Sequence, residues 1–319
     1  MAANDKTMNA VRIHAFGDAD QLVYESAPRP VPQAGEVLIR VRAAGVNPVD
    51  WKTREGKGVA GYMKDLPAIL GWDVAGTVDA LGPGVDSFRI GESVYGMIRF
   101  PNPGNAYAEY VTAPVSDIAR MPGSLDYAPA AALPLAALTA WQAFFTAGGL
   151  QAGQRVLVHA AAGGVGHLAV QLAKWKGASV VGTASARNAD FVRSLGAEFY
   201  DYAAAPFEKQ LSGFDLVLDT VGGDTAQRSY SVLKPGGIVV SILGGAKEEE
   251  ARKHGMRAAS ILVKTSGSEL AEIATLVSKG ALRPEVQAIL DLPEASKAHD
   301  LVKAGHVRGK VVLRVPGGA

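Results

Sequence analysis

The stretch RVLVHAAAGGVGHLAVQLAKWKGASVVGTAS, running from Arg155 to Ser185, constrains the fold of this chain most. Val156, Leu157 and Val158 form an apolar run suited to a strand buried on both faces. Ala160, Gly163 and Gly166 follow in the pattern A-x-x-G-x-x-G. Small residues there let the backbone turn sharply, approach a bound group closely and bring the next helix tight against the sheet. Val165, Leu168, Ala169 and Leu172 recur at helical spacing, and Gly177 stands where a C-terminal cap is expected. Ser179 to Thr183 supplies a second strand. Strand, glycine turn and helix in this order predict a dinucleotide site, with the diphosphate on the helix N-terminus.

The end of the second strand speaks to which dinucleotide. An acidic residue about 20 positions beyond the glycines would accept hydrogen bonds from a ribose 2′-OH. Here the chain places Ser185, Ala186, Arg187 and Asn188, with no carboxylate until Asp190. Ser, Arg and Asn all donate hydrogen bonds, and Arg187 adds a permanent charge suited to a 2′-phosphate. NADPH is therefore expected over NADH. The alternative for Arg187 is a solvated charge at the start of the next helix.

With 319 residues, 48% hydrophobic and 20% charged, the chain can bury a large core in two domains. A net charge of +1 without a dense Lys/Arg cluster gives no electrostatic case for nucleic acid or an acidic membrane. Cysteine is absent, which excludes disulfides, thiolate metal sites and cysteine nucleophiles. The start, MAANDKTMNAVRIHAFG, lacks the apolar core of a signal peptide, and the longest apolar stretch, Tyr127 to Phe145, is broken by Pro129, Pro134, Thr139 and Gln142. A cytoplasmic protein is the resulting expectation.

Residues 1–125 read as β-rich, with strand-like alternation at Val11 to Ala15, Glu36 to Ala44, Val74 to Leu81, Ser93 to Ile98 and Ala106 to Ala113, punctuated by Gly and Pro. Residues 126–266 alternate helix and strand. A helix over Ala128 to Ala147 leads into the glycine unit, and buried strands follow at Phe214 to Asp219, Gly237 to Leu243 and Ser260 to Lys264. That alternation predicts a parallel, doubly wound sheet. Residues 267–319 return to a mixed pattern. Ser266 to Glu269 forms a capping box for a helix ending near Gly280, with a second helix at Pro293 to Ala304 and a last strand at Lys310 to Val315. The organisation expected is a β-rich outer domain, made of the first and last segments, into which the parallel-sheet domain is inserted. A cleft between such domains is a natural ligand site.

The chain resembles the medium-chain dehydrogenase/reductase superfamily, and within it the zinc-free quinone oxidoreductase branch that includes zeta-crystallin and the plant alkenal and enone reductases. The matching stretches, in order, are GVNPVDWK (Gly45 to Lys52), GWDVAGTV (Gly71 to Val78), AYAEYV (Ala106 to Val111), LPLAALTAWQA (Leu133 to Ala143), HAAAGGVG (His159 to Gly166), DTVGG (Asp219 to Gly223), LKPGG (Leu233 to Gly237) and RGKVVL (Arg308 to Leu313). They cover nearly the whole chain. The resemblance implies an α/β fold: a Rossmann doubly wound parallel sheet inserted in a GroES-like β-rich catalytic domain. It also implies a homodimer paired through the strand near Ser260 to Lys264.

Zinc-dependent alcohol dehydrogenases of the superfamily carry a Cys where this chain has Asn47 and a His where it has Trp72. Catalytic zinc needs three convergent N, S or O ligands. Neither Trp72 nor the Asn47 amide serves, and the six histidines (His14, His159, His167, His254, His299 and His306) show no close ligand spacing. Each is expected at the surface or as a cap, and no metal is expected.

Without a Lewis acid, the chemistry left open is hydride transfer from NADPH to a quinone or to the β-carbon of an α,β-unsaturated carbonyl. Negative charge then develops on the carbonyl oxygen, so hydrogen-bond donors are needed there. The candidates are Lys52, Asn47 and Asp50. By resemblance Lys52 contacts the cofactor; it can also donate to a substrate carbonyl, or be a solvated lysine. Asp50 reads equally as a helix cap or a partner for Lys52, and Asn47 as the cap of a turn. The resemblance further places Thr139 near the nicotinamide, Ala162, Gly163, Gly164, Val165 and Gly166 along the diphosphate, and Tyr202 beside the 2′-phosphate with Ser185, Arg187 and Asn188. Val221, Leu243 and Gly244 would line the nicotinamide pocket, and Arg308, Gly309 and Lys310 would reach the cofactor from the tail. Tyr62 and Phe100 are candidates for the substrate pocket by position. The competing readings are an enoyl-thioester reductase and a weakly catalytic, NADPH- or RNA-binding relative of zeta-crystallin.

Overall fold

The computed structural model describes residues 6–315. Chain contacts divide them into two units: residues up to Leu135 with Thr265–Lys279 and the segment from Pro284 onward, and Ala136–Lys264 with Gly280–Arg283. The first division thus falls after Leu135 rather than after residue 125, because helix Tyr127–Ala131 packs on strands of the β-rich unit.

The inner unit is a six-stranded, all-parallel sheet. Its strands run in the order Glu198–Asp201, Ser179–Ala184, Arg155–Val158, Phe214–Asp219, Leu233–Ser241, Arg257–Ser260. The chain winds outward one way from Arg155–Val158 and then back across it, so the strand order reverses between Arg155–Val158 and Phe214–Asp219. Ligands bind at such a switch point, outside the carboxyl ends of the strands. The sheet centre is apolar on both faces: Leu157, Val181, Val217 and Val239 are buried in one cluster with Phe207 and Phe214, and Val156, Val180, Leu216 and Val240 are buried on the other face. Helix Gly166–Trp175 buries Leu168, Ala169 and Leu172.

The outer unit carries a three-stranded and a seven-stranded sheet. In the larger one, strand Glu36–Val46 pairs antiparallel with Asp73–Leu81 and with the last strand, Lys310–Arg314. Tail and N-terminal segment thereby share one core of Val, Ile and Leu. Helix Gly267–Ser278 starts on Ser266, whose hydroxyl accepts the Glu269 N–H at 3.2 Å. Among the described residues no helix is long and apolar enough to cross a membrane.

Several elements differ from the sequence expectation. The helix over Ala128 to Ala147 is three pieces, Tyr127–Ala131, Pro134–Trp141 and a π-helical turn Gln142–Ala147. Pro134 has no N–H to continue the first piece and opens the second. The inner edge strand is Arg257–Ser260, which ends where the expected strand, Ser260 to Lys264, was to begin. Ala106 to Glu109 is not strand; Ala106 and Tyr107 N–H groups bond instead to Gly71 and Leu70 carbonyls. Strands Leu22–Pro28 and Val286–Asp291 were not expected, being half-exposed and without clean alternation.

Candidate functional site

The glycine turn is built by backbone crowding. Ala160 sits at φ +48, a left-handed conformation that a residue with a Cβ adopts at a cost of about 1–2 kcal/mol. Its carbonyl points into the turn and accepts the Gly163 N–H at 2.9 Å. A Cβ on Gly166 would stand 2.2 Å from that carbonyl oxygen, so only glycine fits there. Among the described residues, Gly164 and Val165 close no backbone N–H bond, and both lie at the entry of helix Gly166–Trp175. Donors and helix dipole together suit a diphosphate.

Behind the turn lies a hydrogen-bond chain that sequence reading missed. His159 is buried, with Nδ1 3.2 Å from Thr183 Oγ1 and Nε2 3.1 Å from Ser229 Oγ. Ser229 donates its hydroxyl to Thr225 O at 2.6 Å, so it can only accept from His159 Nε2–H. Thr183 Oγ1 accepts the Ala160 N–H at 3.3 Å and donates to His159 Nδ1. This directional chain fixes a neutral imidazole and ties the strained Ala160 to the sheet. Burial is the main force pushing the His159 pKa down, to about 4.

The sign of the pH effect follows. As pH falls through 6.5 the unfolded chain takes up the proton first, whereas the folded chain takes it up only near pH 4. The contribution is intact above pH 6.5 and lost toward pH 4, worth about 3 kcal/mol. His159→Gln is expected to remove that much of the acid loss in stability, read from urea midpoints at pH 7 and pH 4. An unchanged difference between the two pH values would place the acid sensitivity elsewhere.

The remaining inner-unit candidates sit at the carboxyl ends of the strands. Strand pairing sets Ala184 beside Asp201, which brings Ser185 and Tyr202 next to each other. Asn188 Nδ2 donates to Ser185 Oγ at 3.3 Å, Arg187 is exposed, and Tyr202 is 59% exposed. Asp201, the neighbouring carboxylate, is turned onto the Ala203 N–H at 3.0 Å. At the switch-point side, buried Asp219 accepts the Val221 and Gly222 N–H groups, both at 3.0 Å, and the Ser241 hydroxyl at 2.8 Å. Ser241 Oγ in turn accepts from Leu243 N and Gly245 N, each at 3.3 Å. One carboxylate thus shapes two adjacent loops, whose Val221 and Leu243 are 53% and 47% exposed. Asp219 and Ser241 were missed as site builders; the Asp opening DTVGG after a buried strand was the available signal. Thr139 is buried in its helix, and Gly244 turns at φ +79.

In the outer unit the expected catalytic residues separate. Asn47 caps helix Pro48–Arg54, and its N–H donates to Asp50 Oδ2 at 2.6 Å. Asp50 also accepts the Tyr107 hydroxyl at 2.9 Å, while Tyr107 Oη lies 3.3 Å from His299 Nε2. Burial raises the Asp50 pKa to about 7. Asn47 and Asp50 are buried and tied to the helix start through Asp50 Oδ2, while Asp50 Oδ1 is buried without a hydrogen-bond partner, and Asp50 is not the partner of Lys52. Lys52 is half-buried; its Nζ lies 5.7 Å from the Trp51 ring centre and has no carboxylate partner among the described residues.

Among the tail residues the structure corrects the expectation for Lys310. Lys310 is only 3% exposed, and its ammonium turns inward to Val46 O at 3.1 Å, to Asn47 Oδ1, and to Asp73 Oδ2 at 3.7 Å. A lysine so enclosed does not reach a cofactor. Gly309, at φ +64, owes its identity to the Glu285 carbonyl, 2.2 Å from where a Cβ would stand. Arg308 donates its N–H to Gln287 Oε1 at 2.5 Å. Phe100 is buried edge-on to Trp72, with ring centres 5.6 Å apart, so it packs rather than lines a pocket; Tyr62 is exposed. His159, His167 and His299 are buried rather than at the surface, and the His167 ring lies 2.8 Å from Gly163 O at the start of its helix.

Zinc does not fit the residues found here. Asn47 Oδ1 already accepts a buried ammonium, and Trp72 is enclosed, donating Nε1–H to Asn102 O at 2.7 Å. Among the described residues no group of three or more His, Cys, Asp or Glu is placed to hold a metal.

Comparison with known proteins agrees with the fold. A model of the alcohol dehydrogenase GroES-like domain matches residues 33–123, and one described as zinc-binding dehydrogenase matches residues 195–313. The quinone oxidoreductase of Sus scrofa is 31% identical over 334 residues, covering 98% of this chain and 99% of that protein. The chloroplastic NADPH-dependent alkenal/one oxidoreductase of Arabidopsis thaliana is 33% identical over 323 residues, covering 98% and 81%. The solved quinone oxidoreductase of Coxiella burnetii superposes with a TM-score of 0.93 at 41% identity, covering 97% of this chain and all of that one.

Proposed function

The chain belongs to the medium-chain dehydrogenase/reductase superfamily, and on that premise we propose that it is a zinc-independent, NADPH-dependent reductase of quinones or α,β-unsaturated carbonyls. Oxidoreductase chemistry with a nicotinamide cofactor comes with the family. The observation that carries the finer reading is the set of loops at the strand ends. The crowded glycine turn suits a diphosphate, the Ser185–Asn188 corner suits a 2′-phosphate, and the Asp219-shaped loops present apolar Val221 and Leu243 to a flat ring.

The bound dihydronicotinamide would supply the hydride. The inner unit's task is to hold it in one orientation: neutral His159 anchors Ala160, and Asp219 with Ser241 anchors the two loops. Negative charge developing on the acceptor's oxygen calls for a donor, and Lys52 has the chemistry for it. The enclosed Lys310 ammonium at Asn47 supports a mechanism that needs no zinc.

The decisive experiment is NADPH consumption against a panel of naphthoquinones, alkenals and cyclic enones, with NADH as control. Steady turnover with one class identifies the substrate, and silence across the panel overturns the reading. Replacing Ser185 with Asp and Arg187 with Ala is expected to lower the NADPH-to-NADH ratio of kcat/KM by about 10–100-fold, since a charge-assisted hydrogen bond is worth roughly 1.5–3 kcal/mol. An unchanged ratio would remove these residues from cofactor selection.

The reading includes a homodimer paired through the exposed edge strand Arg257–Ser260, with Leu262, 58% exposed, beside it. Light scattering of the purified chain gives the mass that decides this.

A further inference from the structure

Lys310 is a buried cation that the reaction outlined above does not use. Strand register brings it to its place. Val311 pairs with Val46 and Gly45 pairs with Asp73, so the next position along puts Lys310 across from Asn47. The ammonium has three N–H groups, and three acceptors surround it: Val46 O, Asn47 Oδ1 and Asp73 Oδ2. The last is an ion pair at 3.7 Å rather than a hydrogen bond.

The consequences run through Asn47. With Oδ1 taken by Lys310 and Nδ2 donating to Asp73 Oδ2 at 2.8 Å, the amide has one orientation. Asn47 is also the N-cap of helix Pro48–Arg54, and its backbone N–H is held by Asp50 at 2.6 Å. This helix has 7 residues, under two turns. Helices so short hold no position by their own hydrogen bonds; tertiary ties at their ends decide it. Lys52 rides on this helix.

Stability alone does not explain a charge here. Buried ion pairs are commonly matched or exceeded in stability by apolar residues of similar volume, and their best-attested use is to fix a register. We propose that Lys310 is a positioning residue: its ammonium fastens the last strand to the N-cap of helix Pro48–Arg54 and so presents Lys52 in one orientation to the reaction. The proposal rests on the reading of Lys52 as the donor in a reductase.

The test is a double-variant cycle in the full chain, with NADPH and 1,4-naphthoquinone. Lys310→Met and Lys52→Ala are each expected to lower kcat/KM by about 10–100-fold, as misplacement or loss of a reacting group does. For Lys310→Met the loss falls on kcat more than on KM. The combined variant is expected to be no worse than the poorer single one, because Lys310 acts through Lys52. Losses that multiply, or a Lys310→Met enzyme with unchanged kcat/KM, overturn the proposal.

If Lys310→Met does not fold, Lys310→Met with Asp73→Asn leaves no unpaired charge and takes its place in every arm. Amide hydrogen exchange gives a second readout. Exchange across residues 48–54 is expected to quicken at least about tenfold in the Lys310 variant, with strand Arg155–Val158 unchanged. If the wild-type chain reduces neither quinones nor enones, the functional reading has failed, and exchange alone decides. Unchanged protection of residues 48–54 overturns the inference, and selective loss of it sustains the positioning role.

Discussion

Asp73→Ala is expected to destabilise the outer unit by about 3–5 kcal/mol, the usual loss when one partner of a buried ion pair is removed. The carboxylate is fully buried between three donors. Oδ1 accepts the Leu135 N–H at 2.7 Å, and Oδ2 accepts Asn47 Nδ2 at 2.8 Å while facing the Lys310 ammonium. Alanine would take this acceptor from the Leu135 N–H and from Asn47 Nδ2, and would leave the buried Lys310 ammonium, still on Val46 O and Asn47 Oδ1, without the carboxylate that faces it. Burial already pushes the Lys310 pKa down, and the Asp73 charge opposes that shift. Without Asp73 the depression deepens. A lysine whose folded pKa lies below its unfolded value loses stability as pH falls from the unfolded value toward the folded one, where the unfolded chain takes up the proton first, so the variant should weaken further across that window. Urea midpoints at pH 9 and pH 6 give the measurement. Adding Lys310→Met should recover part of the loss, since a neutral cluster no longer strands a charge; no recovery would mean that the Leu135 and Asn47 hydrogen bonds carry the effect.

The same residues show what a sequence discloses and what it withholds. Signals confined to a few neighbours were readable. The Ala160–Gly163–Gly166 spacing, Ser266 ahead of Glu269 and the buried run Phe214 to Asp219 each appear in the structure where local chemistry put them. Their causes are a steric limit, a helix cap and a two-sided apolar strand, all encoded within about ten residues. Partnerships made across the chain were not readable. His159 meets Ser229, 70 positions away, and Lys310 meets Asn47, 263 positions away. Nothing near Lys310 in sequence distinguishes a buried ammonium from one that reaches outward. RGK looks like an exposed basic turn, and only the pairing of Val311 with Val46 turns its lysine inward. Asn47 and Asp50 carried both a catalytic and a capping reading, and the capping box is what the structure forms. The broken helix after Tyr127 was legible in hindsight from Pro134, but a run of alanines around it masked the break.

Gly166→Ala should cost at least about 100-fold in NADPH affinity, the largest effect expected from a single methyl group in this chain. The new Cβ would stand 2.2 Å from Ala160 O, 2.9 Å from Ala160 C and 2.9 Å from Ala161 Cα. All three are backbone atoms, so no side chain can rotate aside. Either the turn opens or the first turn of helix Gly166–Trp175 backs away. Opening is resisted, because Ala160 is held from behind by Thr183 Oγ1 and Ala161 by the Thr183 carbonyl at 2.9 Å. Retreat is resisted by Leu168, Ala169 and Leu172, which are fully buried. Whichever yields, the N–H groups of Gly164 and Val165 shift by about an ångström relative to a diphosphate, and misplacements of that size cost roughly two orders of magnitude. Fluorescence titration of NADPH reads the affinity, and circular dichroism checks that the parallel sheet survives. A folded Gly166→Ala chain that still binds NADPH as tightly as the parent would mean that the dinucleotide is not held on this turn. The helix N-terminus would then be a packing feature of the sheet, and the cofactor assignment of Ala162 to Gly166 would have to be withdrawn.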